Sequence, residues 1–251
     1  MFHPQGPTFW ELARQAFSST ERGYDLLAPK FDLTPFRTPD EMLTPVAELL
    51  GPRHSIDSAL DVCCGTGAAM RILRPLCRRR IVGVDFSQNM MEIGRRRMAA
   101  DEGHAEVEFV RGNLLDLPFE PVFDLAVCFG ALGHIVPSDQ KRFVDQLARI
   151  LKPGGRFVFA TCEMPPVRSR RYWLSRGFNA AMHLRNLFVR PPFIMFYLTF
   201  LLPAAVQLLE ESGFVVEVRR SVFPKPYAQA CLVFATRKVN CSTGWPTPRL
   251  T

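Results

Sequence analysis

With 251 residues, 47% of them hydrophobic and 22% charged, the chain is long enough for one large α/β domain with an insertion, and its composition argues against disorder. The net charge of +7 includes arginine clusters at 78–80, 95–97 and 168–171, which suit either an anionic partner or solvated helix faces. None of the seven cysteines has the paired spacing of a zinc site, so no metal is expected.

The first residues contain no basic start followed by an apolar stretch, which argues against a signal peptide. The longest apolar run, 193–206, is too short to span a bilayer and contains Pro203. We therefore expect a cytoplasmic protein with reduced thiols, either free or peripheral to a membrane.

Residues 1–55 are predicted to form short helices interrupted by prolines. From residue 56, short apolar runs alternate with helical patterns. The predicted strands are SALDVCC, IVGVD, EVEFVRG, FDLAVCFG and GRFVFATC, and the helices are AAMRILRPLC, NMMEIGRRRMAAD and DQKRFVDQLARILK. The last helix is expected to end at 152–155, KPGG. Strands that are apolar on both faces and alternate with helices indicate a parallel sheet covered by helices.

The C-terminal part departs from this alternation. Residues 163–203 are rich in arginine and aromatic residues that the sheet does not need, so we interpret them as an inserted cap. Residues 204–238 contain a terminal helix and two strands, GFVVEVRRSVF and ACLVFATRK, without a helical period between them. These two strands are predicted to pair as an antiparallel hairpin at a sheet edge, followed by a tail at 239–251.

The end of the first predicted strand holds the first candidate binding residues. Ligands of open parallel sheets lie beyond the carboxyl ends of the strands, and the glycines of Gly65-Thr66-Gly67 let the backbone approach a ligand there. Asp61 lies in the same strand end, where bonds to the loop's own amides are the simplest role for it. A glycine turn alone is weak evidence for a nucleotide-like ligand.

The ends of two later strands add evidence for a nucleotide-like ligand. Asp85 ends the second strand twenty residues after Gly65, where a carboxylate can accept two hydrogen bonds from a ribose diol, and Ser87 is expected to cap the next helix. After the third strand, Asn113 and the backbone near Leu114 are placed to meet an adenine edge, although a plain polar loop is an alternative.

Taken together, these motifs resemble those of class I S-adenosylmethionine-dependent methyltransferases. In order they are DVCCGTG, GVDFS, GNLLDLPF, FDLAVCFGALGHI and LKPGGRFVF, and GF-x-V…LVFATR matches the terminal hairpin of that fold. The two-cysteine motif and YDLLAPKFD upstream are similar to the methyltransferases of ubiquinone and menaquinone biosynthesis. The resemblance implies a Rossmann-like, doubly wound, seven-stranded sheet, mostly parallel with an antiparallel C-terminal hairpin, in which 56–162 is the cofactor-binding core and 1–55 a helical lid.

The resemblance also implies S-adenosylmethionine as the cofactor. Its methionine end would lie among Asp61, Gly65 and Gly67, while Asp85 would hold the ribose hydroxyls. The cofactor residues implied by the resemblance are Asp61, Cys63, Gly65, Thr66, Gly67, Asp85, Phe86, Asn113, Leu114, Phe129 and Gly130. Two of them depart from the family pattern, since Cys63 stands where relatives commonly have glycine and Asn113 where many have aspartate.

His134 is the candidate base facing the acceptor, although a loop histidine that caps or packs is an alternative. The candidate acceptor residues are Tyr24 and Phe31 in the lid and Phe188, Phe193, Phe196 and Tyr197 in the cap. Cys128 lies inside an apolar strand, which favours a buried structural thiol over a nucleophile. Residues 129–132 replace the Asn-Pro-Pro-aromatic signature of base-amine methylation, so nucleic acid is not an expected substrate.

The sequence thus predicts an enzyme that methylates a small apolar or amphipathic acceptor, either a quinone-like ring or a lipid. The arginine-rich, aromatic cap also fits a membrane surface, or a lid whose apolar face completes the core. A binding protein without catalysis and a methyltransferase for a polar metabolite remain alternatives. A dinucleotide oxidoreductase is disfavoured because Met70 occupies the position of its third glycine. The sequence predicts no oligomeric state.

Overall fold

The computed structural model describes residues 3–101 and 103–239. Helical segments precede the sheet: α1 (Phe9–Ala16), α2 (Thr20–Leu27), a 3-10 helix (Ala28–Leu33) and α3 (Asp40–Leu50). A capping box starts α1, since the Thr8 hydroxyl accepts from the Glu11 amide and the Glu11 carboxylate accepts from the Thr8 amide. The Ser19 hydroxyl caps α2 by accepting from the Arg22 amide.

The core is a seven-stranded sheet with the order β3-β2-β1-β4-β5-β7-β6. The strands are β1 (Ile56–Val62), β2 (Cys77–Asp85), β3 (Glu106–Arg111), β4 (Phe123–Cys128), β5 (Leu151–Cys162), β6 (Phe214–Arg219) and β7 (Ala230–Arg237). The first five are parallel, and β7 pairs antiparallel with both β5 and β6. This confirms the predicted fold class. Because the strand order reverses between β1 and β4, a cleft opens at their carboxyl ends.

The remaining helices are α4 (Ala68–Leu73), α5 (Gln88–Ala99), α6 (Pro137–Ile150), α7 (Arg170–Phe188) and α8 (Ala204–Glu211). Two clusters of buried apolar side chains cover the two faces of the sheet. Helix α6 buries Phe143, Val144, Leu147 and Ile150 at the predicted helical spacing.

The prediction at the end of α6 was wrong in detail. The helix ends at Ile150, and Leu151 already belongs to β5, where it pairs with Phe123 of β4. Residues 152–155 are an irregularity inside this pairing, which resumes at Arg156 opposite Leu125. Gly154 has a φ of +79°, so a glycine permits the local turn that takes up the extra residues.

The segment predicted as a cap consists of α7 and an irregular stretch, which we call the cap loop (189–203). The Asn179 side chain bonds both backbone groups of Tyr197, at 2.7 and 2.8 Å, and Asn186 bonds both of Phe193, each at 3.0 Å. Helix α7 therefore lies outside the cap loop and holds it. Across the described ranges, 3–101 and 103–239, no helix is long and apolar enough to cross a membrane. The predicted tail lies, apart from Val239, outside the described residues.

Candidate active site

A cavity of about 430 Å³ occupies the cleft at the carboxyl ends of β1, β2 and β4. Residues of the turn after β1, the lid, the turn after β4 and the cap loop line it. The amide of Phe196 donates to the carbonyl of Gly133 at 2.8 Å, which fastens the cap loop to the turn after β4. The cavity is therefore assembled from parts of the chain that are far apart in sequence.

The turn after β1 exposes backbone to this cavity. Gly65 and Gly67 have φ values of +52° and +79°, and a Cβ added at Gly65 would meet nothing within 4 Å. Cys63 has a φ of +61°, a left-handed conformation that costs a non-glycine residue roughly 1–2 kcal/mol. Cys63, which stands where relatives commonly have glycine, thus holds a conformation that glycine adopts more readily. Burial raises the thiol pKa of Cys64, and a hydrogen bond with Cys128 and burial raise that of Cys63, so both remain protonated.

Asp85 ties the turn after β1 to the turn after β2. Its Oδ2 accepts from the Gly65 amide at 2.9 Å, and its Oδ1 accepts from the Ser87 amide at 2.8 Å. Burial raises its pKa to about 6, although these backbone bonds oppose the shift. Each carboxylate oxygen keeps a lone pair for a further donor, so a ribose diol can bind here. Ser87 caps α5 through the Met90 amide, as predicted.

Asp61 is a buried carboxyl without a counter-charge. Its Oδ2 is the only buried side-chain oxygen or nitrogen in the described part of the chain that lacks a hydrogen-bond partner. Burial, and then the nearby charge of Asp85, raise its pKa to about 8. Since Asp61 lines the cavity, a cationic ligand group placed there would supply the missing partner. Together with the open backbone at Gly65, this arrangement fits the ammonium end of S-adenosylmethionine.

Two lid carboxylates, which the sequence analysis did not single out, fasten the lid over these turns. Asp25 accepts from the Ser87 hydroxyl at 2.6 Å and from the Asn89 amide at 3.0 Å. Asp32 accepts from the Thr66 hydroxyl at 2.8 Å and forms an ion pair with Arg97. Both lie in YDLLAPKFD, the lid stretch on which part of the family resemblance rests, so their position there was the available signal.

His134 and Tyr24 form a hydrogen-bonded pair at the cavity wall. The Tyr24 hydroxyl lies 2.8 Å from His134 Nε2, while His134 Nδ1 bonds the Ile194 carbonyl. Because a carbonyl only accepts, Nδ1 carries the proton and Nε2 accepts from Tyr24. Burial lowers the pKa of His134 and, with the charges of Asp85 and Cys63, raises that of Tyr24. The imidazole is thus neutral and the phenol protonated.

Most of the predicted site residues line this cavity: Tyr24, Phe31, Asp61, Cys63, Gly65, Thr66, Asp85, Phe86, Phe129, Gly130, His134, Phe196 and Tyr197. The sequence did not identify further lining residues, among them Thr38, Thr161 and Met195, because lid, β5 end and cap loop meet only in the folded chain.

The other predicted site residues do not line this cavity. A Cβ on Gly67 would meet Gly94, Phe109 and Met98, so this glycine faces the helix packing. The Asn113 side chain accepts from the Leu115 amide at 2.9 Å and closes its own turn, and neither it nor Leu114 lines the cavity.

The cap residues Phe188 and Phe193 also lie outside the cavity lining. Phe188, at the end of α7, is 81% exposed. Phe193 is buried behind the site, stacked on Tyr24 with ring centroids 6.3 Å apart. It supports the Tyr24 ring and lies behind the wall that an acceptor would touch. Within 3–101 and 103–239, no group of three or more His, Cys, Asp or Glu side chains is arranged to hold a metal ion.

Comparison with known proteins matches the central part of the chain to methyltransferases. Residues 59–155 match the protein-family model described as "Methyltransferase domain". The chain is 40% identical over 125 residues to a demethylmenaquinone methyltransferase of Clavibacter sepedonicus, covering 49% of this chain and 46% of that protein. It is 37% identical over 112 residues to a 2-phytyl-1,4-naphtoquinone methyltransferase of Trichormus variabilis, covering 43% and 48%.

Among solved structures, a SAM-dependent methyltransferase of Methanosarcina mazei superposes with a TM-score of 0.59 at 16% identity, covering 78% of this chain and 98% of that one. This similarity establishes the shared fold. The matched region spans about half the length of the curated relatives. The family resemblance seen in the sequence is confirmed for this region, and S-adenosylmethionine is the cofactor that the match indicates.

Proposed function

We propose that this chain, whose residues 59–155 are a class I methyltransferase domain similar to those of menaquinone-type methyltransferases, methylates a small apolar acceptor that carries an ionisable ring hydroxyl, such as a quinol. The observation that carries the proposal is the Tyr24–His134 pair at the wall of the cavity. A neutral imidazole can accept a proton by way of the phenol. This suits a methyl acceptor whose ring hydroxyl must lose its proton.

The apolar part of the cavity lining supports an apolar acceptor. It includes Phe31 from the lid, Leu132 from the turn after β4, and Met195, Leu198 and Leu201 from the cap loop. Apolar walls with a few placed polar groups bind a flat, mostly hydrophobic ring and orient its hydroxyl. A quinol-type ring matches this combination better than a fully polar metabolite.

S-adenosylmethionine, when bound, supplies an activated methyl group on a good leaving group. Asp61 would hold its ammonium group and Asp85 its ribose hydroxyls. The protein itself then has to align the acceptor, exclude water and remove a proton. The acceptor hydroxyl would donate to the Tyr24 oxygen while the Tyr24 proton moves to His134 Nε2. The Ile194 carbonyl, bonded to Nδ1, would then stabilise the imidazolium.

The proposal is tested by incubating the purified protein with S-adenosylmethionine and single acceptors, and measuring S-adenosylhomocysteine. The acceptors are a reduced naphthoquinone, its dimethyl ether, a lipid amine and a polar catechol. We expect turnover of the quinol and none of the ether, which has no hydroxyl proton for the Tyr24–His134 pair to accept. Cofactor binding without turnover of any acceptor would indicate a binding protein, and turnover of the catechol alone would indicate a polar substrate.

Asp85→Ala is expected to weaken binding of S-adenosylhomocysteine by about 150-fold or more, because two charge-assisted hydrogen bonds to the ribose hydroxyls are lost and each contributes about 1.5–3 kcal/mol. Isothermal titration calorimetry measures the affinity. Glu120→Gln, which removes an exposed carboxylate, is the control and should bind as the wild type does. An unchanged affinity in a folded Asp85→Ala variant would remove Asp85 from the cofactor site.

A further inference from the structure

Helix α7 presents an exposed apolar stripe. None of its 19 residues is buried. Its exposed large side chains are Trp173, Leu174, Leu184, Leu187 and Phe188. Their spacing, with Gly177, Ala180 and Ala181 between them, places them on one side of the helix. Such a stripe on a surface helix is unusual, because a helix of a globular protein normally turns its apolar side inward.

The opposite side of α7 is already occupied. Asn179 and Asn186 bond the backbone of the cap loop, and the Phe178 and Tyr197 rings lie 4.8 Å apart in an edge-to-face contact. These contacts fix the rotation of α7 about its axis. The apolar stripe is therefore held outward, away from the cap loop.

Helix α1 extends this exposed surface. Phe9, Trp10 and Phe17 are 74%, 78% and 67% exposed. The Arg185 guanidinium donates to the carbonyls of Ala16 and Ser18 at 2.8 and 2.7 Å, which joins the end of α1 to the last turn of α7. We call the exposed apolar residues of α1 and α7, together with Phe17, the α1–α7 surface.

The charge along α7 and the cap loop has one sign, and the exposed Glu11 of α1 is paired with Lys30 at 2.8 Å. Residues 164–209 contain no aspartate or glutamate and carry Arg168, Arg170, Arg171, Arg176, Arg185 and Arg190. On the helix, Arg170 and Arg176 border the apolar stripe. Apolar and aromatic side chains edged by arginines are typical of helices that lie in the interface of an anionic bilayer.

We propose that the α1–α7 surface binds the face of an anionic lipid bilayer. A second copy of this chain fits less well, because an isologous contact through α7 would bring the arginines of both copies together. Anionic headgroups meet the arginines with opposite charge, while the aromatic and leucine side chains enter the headgroup boundary.

This placement relates directly to the cavity. The cap loop, held on the inner side of α7, supplies Met195, Phe196, Tyr197, Leu198 and Leu201 to the cavity wall. The cavity and the bilayer would then lie on opposite sides of the unit formed by α7 and the cap loop. A lipid-soluble acceptor would reach the site from the bilayer. This route for the acceptor rests on the proposed function, whereas the proposal that the surface binds a bilayer is independent of it.

The test is co-sedimentation of the full chain with vesicles of phosphatidylcholine alone or mixed with phosphatidylglycerol. We expect binding to the mixed vesicles that weakens with added salt, and little binding to phosphatidylcholine alone. The double variant Leu187→Ser/Phe188→Ser should bind the mixed vesicles at least about tenfold more weakly, because two apolar side chains that enter the bilayer are lost. Val215→Ser removes an apolar side chain that is 60% exposed on β6 and serves as the matched control.

The proposal is overturned if the wild type stays in the supernatant with anionic vesicles, or if the double variant binds as well as the control. Self-association of the wild type that the double variant loses, measured by sedimentation velocity, would assign the surface to a dimer instead. Calorimetry with S-adenosylhomocysteine checks that each variant is folded. Since vesicle binding needs no turnover, failure of the proposed function would leave this result unaffected.

Discussion

Replacing His134 by alanine is expected to lower kcat by about 10²- to 10⁴-fold, the usual contribution of a general base, while binding of S-adenosylhomocysteine changes little. The imidazole contacts the Tyr24 hydroxyl and the Ile194 carbonyl and makes none of the proposed cofactor contacts. Tyr24→Phe should lower kcat as well, since the phenol relays the proton. Because the two residues act as one unit, the double variant should be scarcely slower than the slower single variant.

The pH dependence of kcat provides a second readout. Burial lowers the pKa of His134 below its ordinary value of 6.5, so the base form persists to lower pH than in a free histidine. We therefore expect kcat to hold as the pH falls to 6.5 and to decline only below it. His104→Ala, which removes an exposed histidine outside the cavity, is the control. Wild-type turnover in a folded His134→Ala variant would show that the histidine only packs.

Asp61→Asn is expected to weaken binding of S-adenosylhomocysteine by roughly 100-fold or more, because a buried ionic partner of the ligand ammonium is lost. The same change should stabilise the ligand-free protein by about 1–3 kcal/mol above pH 8, since it removes a buried charge whose Oδ2 has no partner. Weaker binding combined with higher stability distinguishes a ligand-binding role from a structural one.

The sign of the pH effect follows from the raised pKa. In the folded, ligand-free protein the pKa of Asp61 is about 8, against 3.8 for an unperturbed aspartate. Its contribution to stability is therefore present at low pH and is lost as the pH rises to about 8. Ligand affinity should change the other way, increasing with pH up to about 8, because the ammonium group binds the carboxylate form.

Thermal unfolding and calorimetry across pH 5–9 measure both effects for Asp61→Asn. Asp57→Asn, in the same strand, is the matched control. Its carboxylate pairs with Arg78 at 2.9 Å, which lowers its pKa, so its removal should not stabilise the protein. If Asp61→Asn melted at a lower temperature than the wild type and bound the ligand unchanged, Asp61 would have a purely structural role.

Local patterns determined much of this protein. The alternation of apolar runs and helical periods predicted the parallel sheet and the terminal hairpin, since burial of both sheet faces leaves a strong signal in each strand. The turn after β1 and Asp85 could be located as well, because they lie at strand ends where a parallel sheet binds ligands. Even the strain at Cys63 follows from replacing a glycine in a tight turn.

Only the tertiary structure decided which of the remaining candidates meet. Tyr24 and His134 are 110 residues apart, and only the lid and the turn after β4 bring their side chains together. Phe188 and Phe193 lie five residues apart with similar aromatic character, yet one is exposed on α7 and the other buried behind Tyr24. Residue type and spacing report the local backbone, whereas long-range contacts depend on how separate elements pack, which no short pattern records. The position of the turn after β1 was therefore predictable, but the Tyr24–His134 contact and the outward side of α7 were not.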